Sequence, residues 1–215
     1  MTLKISIMIL FIIIAIGDIF AVKRNNINLR YFTKPLLIPL LILFYIVSAT
    51  KVNQLVIFAL VCCFLGDFFL LFAQKKSLFI IGLLSFLAGH IFYTVIFLKT
   101  TSFLSVIPGW FYFLLIPYIW YGISIFCKLN PYLHSMKIPV ISYLNVILFM
   151  SFASFARIWV IKGFAFWLPF AGSMLFIASD TLLAFRNFKY KVPKGWISVM
   201  ILYIFAQLLI IFGFL

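Results

Sequence analysis

The chain has 215 residues, of which 67% are hydrophobic and 9% charged, with a mean hydropathy of +1.29, and these values exclude an ordinary soluble globular domain. Its formal net charge of +14 would suit nucleic acid, but the basic residues stand in short stretches between apolar runs and not on one face or in one tail. They read as topology signals, with the lipid bilayer as partner and no nucleic acid expected.

Apolar runs long enough to cross roughly 30 Å of hydrocarbon recur along the chain. The first, over 3–22, is too long for a signal peptide, contains Asp18 and lacks an Ala-x-Ala site before the next run, so it reads as a membrane helix. A short second span covers 35–50, and a seven-helix reading would merge or skip it. The third, 54–73, contains Cys62, Cys63 and Asp67; the fourth, 77–98, contains His90 and Tyr93. Spans over 105–127, 137–157, 164–185 and 195–215 complete an all-α, polytopic transmembrane bundle of about eight helices, one domain over 1–215. Pro39, Pro117 and Pro169 fall within spans, where lipid-embedded helices tolerate a kink. The adjacent Cys62 and Cys63 and the separate Cys127 form neither a metal-ligand spacing nor a disulfide framework.

An even helix number puts both termini on one side. Loops on the other side hold Lys23, Arg24, Arg30, Lys34, Lys75, Lys76, Lys128, Lys137, Arg186, Lys189, Lys191 and Lys194, against Lys4, Lys51, Lys99, Arg157 and Lys162 on the terminal side. The bias places the first set in the cytoplasm and both termini on the non-cytoplasmic side. Trp110, Trp120, Trp159, Trp167 and Trp196 fall near span ends, as an aromatic belt requires.

The chain has three acidic residues, Asp18, Asp67 and Asp180, and all lie within apolar spans, where a charge costs roughly 2.5–3.5 kcal/mol on insertion scales. Each is preceded by a small residue, in Gly17-Asp18, Gly66-Asp67 and Ser179-Asp180, and each falls in the cytoplasmic half of its helix. Asp18 can alternatively pair with Lys23 or Arg24 at its helix end. Near the same depth fall His90 and Tyr93, one turn apart, Lys34 at the start of helix two, and Tyr203 with Gln207 on one face of helix eight. Ser142 and Asn145 suit interhelical hydrogen bonding.

Taken together, Lys34-Pro35-Leu36, LGDFFLLF in helix three, FLAGHIFYTVIF in helix four, MLFIASDTLLAFRNF in helix seven and YIFAQLLI in helix eight resemble the motifs of the YhhN-like lysoplasmalogenase family. The resemblance implies an eight-helix membrane hydrolase that opens the vinyl ether bond of a lysoplasmalogen or related lysolipid, releasing a fatty aldehyde and a glycerophospho-head group. That chemistry needs an acid and a base but no cofactor, nucleophile or metal, so Asp67 and Asp180 are the expected catalytic pair, with His90 orienting water or a carboxylate. Lys34 at the cytoplasmic mouth is expected to take the lipid phosphate, with Arg186 a second candidate, and Tyr93, Tyr203, Gln207 and Asp18 to line the substrate site. A proton-coupled transporter using intramembrane Asp and His is the rival reading; a metal-dependent lipid hydrolase stands third. A composition rich in Phe, Ile and Lys points to a bacterial inner (plasma) membrane. Oligomeric state is not encoded in any motif found.

Overall fold

The computed structural model describes residues 2–72, 75–189 and 195–215, and the side chains of all of these except Gly195 and Trp196. Lys191 and Lys194, counted above toward orientation, and the Trp196 ring of the expected belt lie outside the described residues. Eight α-helices are present among the described residues: α1 (Thr2–Lys23), α2 (Ile27–Ser48), α3 (Gln54–Leu71), α4 (Lys76–Thr100), α5 (Leu115–Leu133), α6 (Lys137–Ala156), α7 (Phe164–Phe188) and α8 (Gly195–Phe212). No strand occurs among them. Several of these helices are long and apolar enough to cross a membrane, and the protein is an all-α integral membrane bundle.

The bundle is apolar on its outside as well as in most of its core. Large apolar side chains such as Ile13, Ile16, Phe32 and Ile123 face outward, whereas Asp18, Lys34, Asp67, His90 and Arg157 are buried. Lipid solvates the first group at no cost, and the second must find partners inside. Short connections make antiparallel hairpins of α1 with α2, α3 with α4 and α7 with α8, and α4 also packs along α6.

Small residues set how closely these hairpins pack, since in lipid the contact rests on van der Waals fit. On α4, Gly82 and Gly89 flank Phe86 on the face that meets α3, and a Cβ at Gly89 would stand 3.1 Å from the Ala59 carbonyl oxygen. The residues preceding the three aspartates serve the same end. Gly17 packs on the Thr33 methyl, Gly66 on the Phe86 ring, and the Ser179 hydroxyl donates to the Val199 carbonyl at 3.0 Å.

Two segments depart from the hydropathy reading. Helix α2 begins at Ile27, eight residues before the expected 35, because the Asn26 side chain caps it by accepting from the Leu29 amide at 3.1 Å. Its first two turns are too polar to score as a span. Between Thr101 and Leu115, where the fifth span was expected to begin, the chain instead forms two 3-10 turns, Ser102–Leu104 and Gly109–Leu114. Pro117 therefore falls in the first turn of α5, where a missing N–H costs no intrahelical bond.

Among the described glycines, the closest approach to another helix's backbone is between α7 and α8. A Cβ on Gly172 would meet the Ala206 carbonyl oxygen at 2.8 Å, and backbone cannot yield as a side chain can. Gly172→Ala is expected to lower stability by about 1–3 kcal/mol, read as a lower thermal midpoint in detergent, whereas Gly17→Ala, whose nearest neighbour is the Thr33 methyl at 3.4 Å, should change it little.

Candidate active site

The C-terminal ends of α1, α3, α5 and α7 and the N-terminal ends of α2, α4, α6 and α8 lie at one end of the bundle. Asp67 is four residues from that end of α3, Lys34 seven from that end of α2, Tyr143 six from that end of α6, and Asp180 and Tyr203 eight from those ends of α7 and α8. At 1.5 Å per residue all five lie about 6–12 Å inside. They line one cavity of about 700 Å³, which extends outward to Ile27, Lys76, Met136 and Phe188 at the loop end. Its remaining wall is mostly apolar, from Leu70, Phe79, Leu83, Phe86, Val140, Leu183 and Met200 among others.

The two inner carboxylates have unlike settings. Asp67 is buried and ion-paired, with Lys34 Nζ 3.0 Å from its Oδ1 and the Tyr203 hydroxyl donating to its Oδ2 at 2.5 Å. Asp180 accepts a short hydrogen bond from the Tyr143 hydroxyl on Oδ2. Its side chain keeps 15% exposure against 3% for Asp67, so Asp180 is the more exposed of the two lining carboxylates.

His90 stands behind Asp180. Its Nδ1 lies 2.6 Å from the Phe86 carbonyl oxygen, which can only accept, so Nδ1 bears a proton and Nε2 faces Asp180 Oδ2 at 3.9 Å. The imidazole is fixed by edge contacts with Tyr143 and Phe176, at centroid distances of 5.4 and 4.9 Å. Phe86 and Phe176 pack edge-on against Tyr203 in turn.

Other expected residues lie elsewhere. Lys34 is not at a mouth: α2 starts early enough to bury it two turns deep, where its charge is taken up by Asp67. Tyr93 donates to Gln207 Oε1 at 3.1 Å, and both side chains are buried in the bundle and do not line the cavity. Asp18 is likewise outside it, fully buried and accepting from the Thr33 hydroxyl at 2.9 Å, which ties α1 to the residue next to Lys34. Arg186 is in the last turn of α7, beside the lining residue Asn187 but not in the wall. Sequence reading passed over Tyr143, one of ten tyrosines in the chain; its register, six residues inside a helix whose loop end is marked by Lys137, was the available signal.

The model of the YhhN family matches residues 29–214. Lysoplasmalogenase TMEM86A of Homo sapiens is 28% identical over 172 residues, covering 76% of this chain and 64% of the relative. Lysoplasmalogenase TMEM86B of Homo sapiens is 29% identical over 158 residues, covering 74% and 62%. The match thus spans less than two thirds of the length of these relatives. No solved structure matches.

Removing one member of a buried ion pair strands the other. Lys34→Met is expected to cost about 3 kcal/mol of stability, and Lys34→Met with Asp67→Leu to recover most of it, because the pair together can be replaced by apolar packing. Thermal unfolding in detergent reads both.

Proposed function

The chain belongs to the YhhN family, and on that premise we propose that it hydrolyses the vinyl ether bond of a lysoplasmalogen or closely related single-chain ether lipid, with Asp180 and Asp67 as the working pair. The observation that carries this reading is the pair itself: two carboxylates of different setting on one mostly apolar cavity, large enough to take up much of a small amphiphile.

Hydrolysis of R–CH=CH–O–R′ begins with a proton added to the alkenyl carbon remote from oxygen. The resulting oxocarbenium ion is captured by water at the carbon that bears oxygen, and the hemiacetal collapses to R–CH₂–CHO and HO–R′. Asp180 is assigned as proton donor, since it is the more exposed of the two lining carboxylates and its described close partners are the Tyr143 hydroxyl and the His90 ring. The Tyr143 bond occupies Oδ2 and leaves Oδ1 to deliver the proton. Asp67, kept in place by Lys34 and Tyr203, supplies the negative charge that stabilises the cation and accepts a proton from the attacking water. His90 is a positioning residue that acts through Asp180.

We take the mouth to face the cytoplasm, because basic residues collect at that end, and the membrane to be a bacterial plasma membrane from the composition rich in Phe, Ile and Lys. Hydrolysis is preferred to proton-coupled transport for a specific reason. On the far side of the carboxylates the bundle interior is filled by Tyr93 with Gln207 and then by Phe97, Arg157 and Phe214, the Arg157 guanidinium lying over both rings at 5.1 and 5.6 Å.

Fatty aldehyde released from a lysoplasmalogen by detergent-purified protein tests the reading. Wild type should release it, Asp67→Asn and Asp180→Asn should each lose roughly a thousandfold, and Tyr143→Phe about tenfold to a hundredfold. Activity near wild type in folded Asp180→Asn would reject that residue as the acid.

A further inference from the structure

The proposed reaction leaves part of the cavity wall unused. Toward the loop end the lining includes Arg30 of α2, Lys76 of α4 and Asn187 of α7. Arg30 precedes Lys34 by four residues, so it stands on the same face of α2 one turn nearer the loops. Lys76 opens α4, and its ammonium donates to Ser135 Oγ at 2.7 Å, reaching toward the connection before α6. That contact holds the side chain by the rim, next to the lining residue Met136, and uses one of its three donors. The acidic residues of the described lining, Asp67 and Asp180, both belong to the inner layer. The cavity is therefore graded, with the two carboxylates and the paired Lys34 inside and Arg30 and Lys76 at the rim.

We infer that Arg30 and Lys76 form a phosphodiester-recognition site at the rim of the cavity, one that fixes how far a single-chain phospholipid enters. An Arg fork pairs with two phosphate oxygens at once, Lys adds a point charge, and the Asn187 amide offers further donors. The spacing suits the lipid. From the ether oxygen to phosphorus in a 1-alkenyl glycerophospholipid there are five bonds, roughly 6 Å when extended, and the Arg30 to Lys34 step is one turn, about 6 Å. With phosphate on Arg30, the ether therefore arrives at the level of Lys34 and Asp67, beside Asp180. The inference rests on the proposed reading of this cavity as a lysolipid site, and it moves the head-group contact from Lys34 to Arg30.

Binding, not turnover, tests it. Wild-type protein and the variants Arg30→Gln, Arg30→Lys and Lys76→Gln, each checked by thermal unfolding, are titrated with an ester-linked lysophosphatidylethanolamine and with a monoacylglycerol of the same tail. Wild type should prefer the phospholipid by tenfold or more. Arg30→Gln should cut that ratio about tenfold, Arg30→Lys should keep part of it by charge without the fork, and Lys76→Gln should reduce it to a smaller extent. Equal binding of the two ligands by wild type, or an undiminished ratio in both folded Gln variants, would overturn the site. Tail-less glycerophosphoethanolamine separates the two sources of a phosphodiester: it should compete only weakly, and competition as strong as the lysolipid's would overturn the role in lipid entry. A preserved phospholipid preference in a protein that releases no aldehyde would reject the proposed reaction while leaving this site standing.

Discussion

The contact on which the inner half of the bundle depends is the ion pair between Lys34 and Asp67. It joins α2 to α3 across the cavity wall, and Tyr203 brings α8 to the same carboxylate. In hydrocarbon neither charge is tolerable alone, so Lys34 and Asp67 each require the other and hold α2 against α3 at this level. Its geometry then determines the rest of the site. Lys34 is turned inward to Asp67, Asp67 is held against the wall, and Asp180, tied to α6 through Tyr143, is left as the more exposed carboxyl of the two.

A second layer supports the first. Asp18 binds the Thr33 hydroxyl and so fixes α1 beside the turn that bears Lys34. Phe86, Phe176 and Tyr143 pack around His90 and Tyr203 at ring distances of 4.9–5.9 Å, which holds the polar side chains in single orientations while keeping their surroundings apolar. Such a setting strengthens each electrostatic contact within it. The small residue before each aspartate belongs to the same design, since Gly17, Gly66 and Ser179 let a neighbouring helix approach at the level where the carboxyl must find its partners.

Much of this was legible in the sequence, and the reasons are physical. Acidic residues in apolar spans are costly enough that Asp67 and Asp180 stood out without any structure, and the helical bundle followed from runs of apolar residues. What hydropathy could not resolve was the start of α2, because a cap and two polar turns are invisible to a window that scores only apolar length. That one shift placed Lys34 in the interior and made Arg30 the rim residue. Pairings across the bundle, Tyr143 with Asp180 and Tyr93 with Gln207, depend on helix rotation and on which hairpins abut, and no spacing along the chain encodes them. Tyr143 was missed for that reason, and Tyr93 and Gln207 were expected at a cavity they do not reach.

The central claim is that this site protonates an alkenyl carbon and delivers water to its neighbour. The direct measurement is hydrolysis of a lysoplasmalogen by the purified protein in D₂O, with the aldehyde trapped as it forms and analysed by mass spectrometry. The account predicts one deuterium on the carbon next to the carbonyl, and its loss together with the product in Asp180→Asn. Aldehyde without deuterium at that carbon, or no aldehyde from folded wild-type protein, would contradict it.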